Sequence, residues 1–172
     1  MPQEDYPKWT CRKPSSTATA SIAPTMFWED FRVGEVHEMG RHTFTAEEII
    51  DFAEKFDPQP IHIDPEAARA SFYGGLIASG WHTCAVGMRF AVDSYINAGV
   101  SLGSPGLDNI RWLKPVRPGD TLIYRRITLA SRPSNSLPGV GLMQGRIEAI
   151  NQNGEVVMTN EGWGMFGRRP VG

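Results

Sequence analysis

Between Leu76 and Gly99 the chain sets Ile77, Trp81, Cys84, Ala85, Met88, Ala91, Val92 and Tyr95 at steps of three and four, then stops on a glycine. That spacing predicts one long α-helix, with Gly99 as its C-terminal stop. Its apolar positions spill round most of the circumference, so something has to wrap it. A lipid bilayer is not expected to, because His82, Arg89, Asp93 and Asn97 interrupt the stretch. Burial inside protein is the remaining solution.

The wrapping material follows directly. Four strand-like runs come next, GLDNIRWLKPV, DTLIYRRITLAS, VGLMQGRIEAI and EVVMTNEGWGMF, with Pro118-Gly119 and Asn153-Gly154 as turn dipeptides. In the third run Met143, Gly145, Ile147 and Ala149 alternate with Gln144, Arg146 and Glu148, as in an antiparallel strand with one buried face. Ahead of the helix, FRVGEVHEMGRHTFT supplies a first strand. Thr45 and Glu48 then have the spacing of a capping box opening a helix that Asp57-Pro58 closes. Asp64 and Pro65 open another short helix, ending before Gly74-Gly75. No strand-helix-strand alternation appears, so the fold class is α+β, an antiparallel sheet around one long helix.

At 172 residues this is one core, assigned to residues 26 to 169. Residues 1 to 25, with SSTATASIAPT, lack apolar periodicity and read as a flexible N-terminal arm. The opening MPQEDYPKWTCRKP has no apolar segment of the kind that directs secretion. Seventeen basic against nineteen acidic residues leave a net charge of -2, which offers no footprint for nucleic acid or an anionic membrane. Cys11 and Cys84 do not make a disulfide framework, and a cytoplasmic setting fits.

The chemistry concentrates in FDPQPIHID, residues 56 to 64. Two prolines stiffen the link between Asp57 and His62, which suits an acid-base pair and also suits a turn. Asp57 stands at a helix C-terminus, where the macrodipole disfavours a carboxylate and should push its pKa upward. An Asp-Pro turn and a loop histidine remain the plain alternatives. A metal reading would recruit His62 and Asp64 with His82, but neither cysteine pairs nor an HExxH spacing supports it, and no metal is expected. In Ser79-Gly80-Trp81 the Gly80 N–H stands among the first, unpartnered amides of the long helix, where an oxyanion could be received; a glycine needed only for packing is the alternative.

Three stretches together carry a resemblance: DPQPIH, FYGGLIASGW entering the long helix, and RWLKPVRPGDTL. From about Phe27 to Phe166 the chain resembles the MaoC-like acyl dehydratases of the hotdog fold, which include the (R)-specific enoyl-CoA hydratases. The resemblance implies reversible syn hydration of a trans-2-enoyl thioester to the (R)-3-hydroxyacyl form. Gly80 would hold the thioester oxygen, His62 would activate water for attack on C3, and Asp57 would deliver the proton to C2. Gln59, Ser79 and Trp81 would contact substrate. It implies no cofactor beyond the coenzyme A of the substrate. A single short sheet around one long helix leaves edge strands that a second sheet would cover, so a homodimer or dimer of dimers is expected. Two departures stand out: Asp57-Pro58-Gln59-Pro60 where the family usually has aspartate, aromatic, asparagine and proline, and Ser79 where it often has histidine. Met88 stands where some members have a serine, and no role passes to it. A thioesterase on the same fold and a non-catalytic acyl-CoA binding module are the rival functions.

Arg111, Lys114, Arg117, Arg125 and Arg126 could meet coenzyme A phosphates, but a solvated strand face explains them more simply. Trp28, Trp81, Trp112 and Trp163 are expected in the core or a dimer contact.

Overall fold

The computed structural model describes residues 25–170. After a short 3₁₀ turn at Trp28–Asp30 come β1 (Val36–Thr43), α1 (Ala46–Phe56), α2 (Pro60–Ile63), α3 (Pro65–Ala70) and α4 (Gly80–Ala91). A π-type turn at Val92–Ile96 leads into β2 (Ser101–Trp112), β3 (Thr121–Pro133), β4 (Val140–Ile150) and β5 (Val156–Gly167). The five strands form one antiparallel sheet in the order β1-β3-β4-β5-β2. All four α-helices therefore lie, in the chain, between the two edge strands. The α+β class holds, and no described helix is long and apolar enough to cross a membrane.

The sheet curls over α4 through the inward residues of β3 to β5. Leu122, Tyr124, Ala149 and Met158 are fully buried there. A Cβ built on Gly87 would stand 3.2 Å from the Tyr124 ring, so the glycine lets α4 lie close on the sheet. Tyr124 Oη then donates to the Thr83 carbonyl at 3.1 Å, fixing the helix along its axis.

Local signals set the other helices. The Thr45 hydroxyl accepts the Glu48 N–H at 3.2 Å and starts α1, but the Glu48 carboxylate turns to His42 instead of completing the box. Asp64 caps α3 by accepting from Glu66 N and Ala67 N at 2.9 and 3.1 Å.

Four expectations need correction. The proline-stiffened link between Asp57 and His62 is neither a plain turn nor a loop, since Pro60 occupies the first position of α2 and His62 sits on that helix. There the fixed φ of proline suits a helix start. The long helix is shorter than its pattern: Ile77 precedes it, and the regular α-helix ends at Ala91. Its wrapping is incomplete, because Trp81 and Met88 remain 54% and 52% exposed. Finally, Arg126 is not on a solvated face. It shares the inward parity of Leu122 and Tyr124 on β3, is 1% exposed, and pairs with Glu35 at 3.0 Å. Of the residues 1 to 25 assigned to an arm, 1 to 24 lie outside the described residues.

Candidate active site

The end of α1, α2 and the start of α4 converge on a cavity of about 490 Å³ whose wall includes Asp57, Gln59, His62, Gly80, Trp81 and Trp112. Asp57 is the C-terminal cap of α1, with its N–H on the Ala53 carbonyl at 2.8 Å. One turn of α2 then carries the chain to His62, whose N–H donates to the Gln59 carbonyl at 2.8 Å.

His62 is buried. Its Nδ1 lies 2.8 Å from the Ile77 carbonyl oxygen, and a carbonyl can only accept, so the proton belongs on Nδ1. Nε2 then faces Asp57 Oδ2 at 3.4 Å with its lone pair available. Ile77 was read from the sequence as helix core; it serves instead as the carbonyl that fixes this tautomer.

The Asp57 carboxylate is held on both oxygens. Gln59 Nε2 donates to Oδ1 at 2.7 Å, and Ser79 Oγ donates to Oδ2 at 2.7 Å. Burial by itself raises its pKa, but the hydrogen bonds from Gln59 and Ser79, aided by His62 when that imidazole carries a second proton, outweigh burial and hold it below the usual carboxylate range. The upward shift expected from the helix terminus is therefore wrong in sign: two directed hydrogen bonds overcome a diffuse dipole. Asp57 rests as a carboxylate at neutral pH.

Ser79 is fully buried and away from the cavity wall. Besides bonding Asp57, its hydroxyl accepts the Trp81 N–H at 3.2 Å and so caps α4. Gly80 opens α4, and its N–H has no acceptor among the described residues. A Cβ there would lie 2.4 Å from the Trp112 indole, so packing also requires the glycine. Trp81, half exposed, meets Trp112 edge to face at 5.4 Å between ring centres. The sequence pattern did not single out Trp112 as a site residue, although its position at the end of a predicted strand could have.

The candidate metal set is not brought together. Asp64 is spent capping α3, and His82 stacks on Phe52 with its Nε2 3.3 Å from Glu48. Of the five basic residues weighed for phosphate contact, Lys114 lines the cavity but pairs with Glu155, and Arg125 pairs with Glu148 at 2.7 Å.

A sheet curled on one central helix is the hotdog fold, and here Asp57, His62 and the unpartnered Gly80 amide at the start of that helix share one cavity. The MaoC like domain matches residues 31–132, and the chain belongs to the MaoC-like dehydratase family. It is 41% identical to a MaoC-like dehydratase from Rhodospirillum rubrum, with a TM-score of 0.78 over 85% of this chain and 99% of that one. It is 36% identical over 110 residues to 3-hydroxyacyl-thioester dehydratase Z of Mycobacterium tuberculosis, covering 62% of this chain and 67% of the relative. A double-hotdog protein from Mycobacterium tuberculosis shares the fold, with a TM-score of 0.65 at 18% identity, covering 87% of this chain and 46% of that one.

Proposed function

We propose that this protein catalyses reversible syn hydration of trans-2-enoyl-CoA to (R)-3-hydroxyacyl-CoA, with Asp57, His62 and Gly80 as the catalytic groups. The observation that carries the reading is the 3.4 Å approach of His62 Nε2 to Asp57 Oδ2 in the cavity that the Gly80 N–H also lines. Dehydration by a 3-hydroxyacyl-thioester dehydratase among the relatives is the same reaction reversed.

The thioester oxygen accepts from the Gly80 N–H, which draws electron density from C3 and stabilises the enolate formed on attack. A water between the pair gives a proton to His62 Nε2 as its oxygen bonds to C3. That proton crosses to Asp57 Oδ2, and Asp57 hands it to C2 on the same face. One water is consumed and both catalytic side chains return to their starting states. Because Asp57 is a stronger acid than an ordinary carboxyl group, it holds the proton briefly and releases it readily to carbon. Gln59 and Ser79 aim the carboxylate, so Ser79 is assigned to positioning Asp57 and not to binding substrate. Trp81 and Trp112 flank the acyl group. These steps ask for no metal or redox cofactor. A second copy of the chain is the expected partner: the outer edge strand β2 leaves Leu102, Leu107 and Trp112 about half exposed.

With crotonyl-CoA, hydration removes the conjugated absorbance without releasing thiol, and chiral analysis finds the (R) product. Thiol release would assign a thioesterase instead. Tight binding of enoyl-CoA with no turnover across chain lengths would assign a binding module.

A further inference from the structure

A second cavity, of about 550 Å³, lies along the uncovered flank of α4. Its wall is mainly apolar, with Met88, Tyr95, Met143 and Ile147 among its residues, and Trp81 lines both this cavity and the catalytic one. One charged side chain joins the wall, Arg126, and it is 1% exposed. Its guanidinium stands 4.9 and 5.0 Å from the centres of the Phe31 and Tyr95 rings, and Nη2 donates to Glu35 at 3.0 Å. Nε and Nη1 have no partner among the described residues, and neither has the hydroxyl of Thr128, the next inward residue on β3.

A structural clamp accounts for the rings and for Nη2. It does not account for two idle donor nitrogens on one buried guanidinium, since buried polar groups are nearly always hydrogen-bonded. An acceptor arriving through the cavity would satisfy them. Arginine cannot escape by losing its proton, so the donors persist at any working pH.

We propose, resting on the acyl-thioester reading above, that this cavity holds the distal part of a long acyl group and that Arg126 receives an oxygen acceptor carried there. The substrates of choice are then long-chain enoyl thioesters oxygenated near the far end, by a carboxylate or a hydroxyl, rather than plain alkyl chains. The length follows from the helix. Gly80 and Tyr95, which packs against Arg126, are fifteen positions apart, or about 22 Å at roughly 1.5 Å per residue.

The test compares three coenzyme A thioesters of a hexadec-2-enoyl chain, ending in methyl, hydroxyl or carboxylate, together with binding of free hexadecanoate and its methyl ester. The oxygenated chains should exceed the methyl-ended one about 10- to 100-fold in kcat/KM, chiefly through KM, as a charge-assisted hydrogen bond warrants. A carboxylate ahead of the hydroxyl identifies charge pairing as the source, and equal values identify hydrogen bonding alone. Arg126→Met should erase the preference, and Arg126→Lys should keep part of it. If Arg126→Met does not fold, the order of the three thioesters on the unaltered protein decides. A methyl-ended chain handled as well as the others would overturn the proposal. If no thioester is turned over, the hydratase reading fails, and the subsite stands or falls on hexadecanoate binding more tightly than its ester.

Discussion

Ser79→Ala separates positioning from substrate contact. One hydroxyl is lost, and with it a hydrogen bond to Asp57 Oδ2 at 2.7 Å and the cap on the Trp81 N–H at 3.2 Å. A hydrogen bond to an ionised group contributes about 1.5–3 kcal/mol, and a serine N-cap about 1 kcal/mol. Since Gln59 still holds the other carboxylate oxygen and a water can replace part of the lost bond, a net destabilisation of about 2–3 kcal/mol is expected. For a chain of this size that lowers Tm by roughly 5–10 °C. The sign of its pH dependence follows from Asp57. Its pKa is depressed in the folded state, so its stabilising contribution is present above the unfolded value near 3.8 and is lost as pH falls through the folded value. The difference in Tm between the two proteins should therefore be large at pH 7 and shrink on acidification below about pH 4. The acid limb of the hydration rate should move to higher pH, since the carboxylate of the variant protonates more easily. Thermal unfolding and the pH-rate profile, each measured on the unaltered protein, Ser79→Ala and Ser79→Thr, check this, with the threonine restoring part of both effects. An unmoved acid limb together with an unchanged KM and kcat in Ser79→Ala would refute the positioning role.

Asp57→Asn and His62→Ala should each cost about 10²- to 10⁴-fold in turnover with the fold intact, and the double variant should lose far less than the product of the two, as initial rates with thermal unfolding will show. Gly80→Ala drives a methyl group into the Trp112 indole, so about 1–3 kcal/mol of overpacking strain and a fall in kcat are expected, with Trp112→Phe partly relieving both. His82 has its pKa lowered by burial, with Glu48 opposing and His42 assisting, so the unfolded chain binds its proton first. Stability should therefore fall as pH drops below about 6.5, and His82→Phe should flatten that slope in chemical denaturation.

The elements that were legible in the sequence are those whose signals are local. Thr45 and Asp64 cap where their spacing says, Pro65 opens α3 at its first position, and Gly119 and Gly154 take positive φ in the turns they announce. The candidate site was legible as an ordered set, in that the fold brings Asp57, His62 and Gly80 to one cavity. What escaped was relational. The acidity of Asp57 depends on Ser79, twenty-two positions away in the chain, and on the amide of Gln59. The charge of Arg126 argued for the surface, whereas its strand parity with Leu122 and Tyr124 argued inward, and the parity won because Glu35 and two aromatic rings receive the guanidinium. The short helix α2 was hidden because proline biases its predecessor to extended backbone while itself fitting a helix start.

The insertion of every helix between the two edge strands has a kinetic consequence. β3, β4 and β5 are successive hairpins whose pairing closes short loops, whereas β2 must find β5 from the far side of the sheet, matching Ser101 with Phe166 and Trp112 with Met158. Non-local pairing forms late, because loop closure must be met before contacts reward it. Trp112 is the last residue of that late strand and the one that abuts Gly80. During refolding the hairpin sheet should thus be complete while the Gly80 amide still lacks its neighbour, and enzymatic activity should return with a slower rate constant than far-ultraviolet circular dichroism. Coincident recovery of the two signals would place β2 docking in the first step.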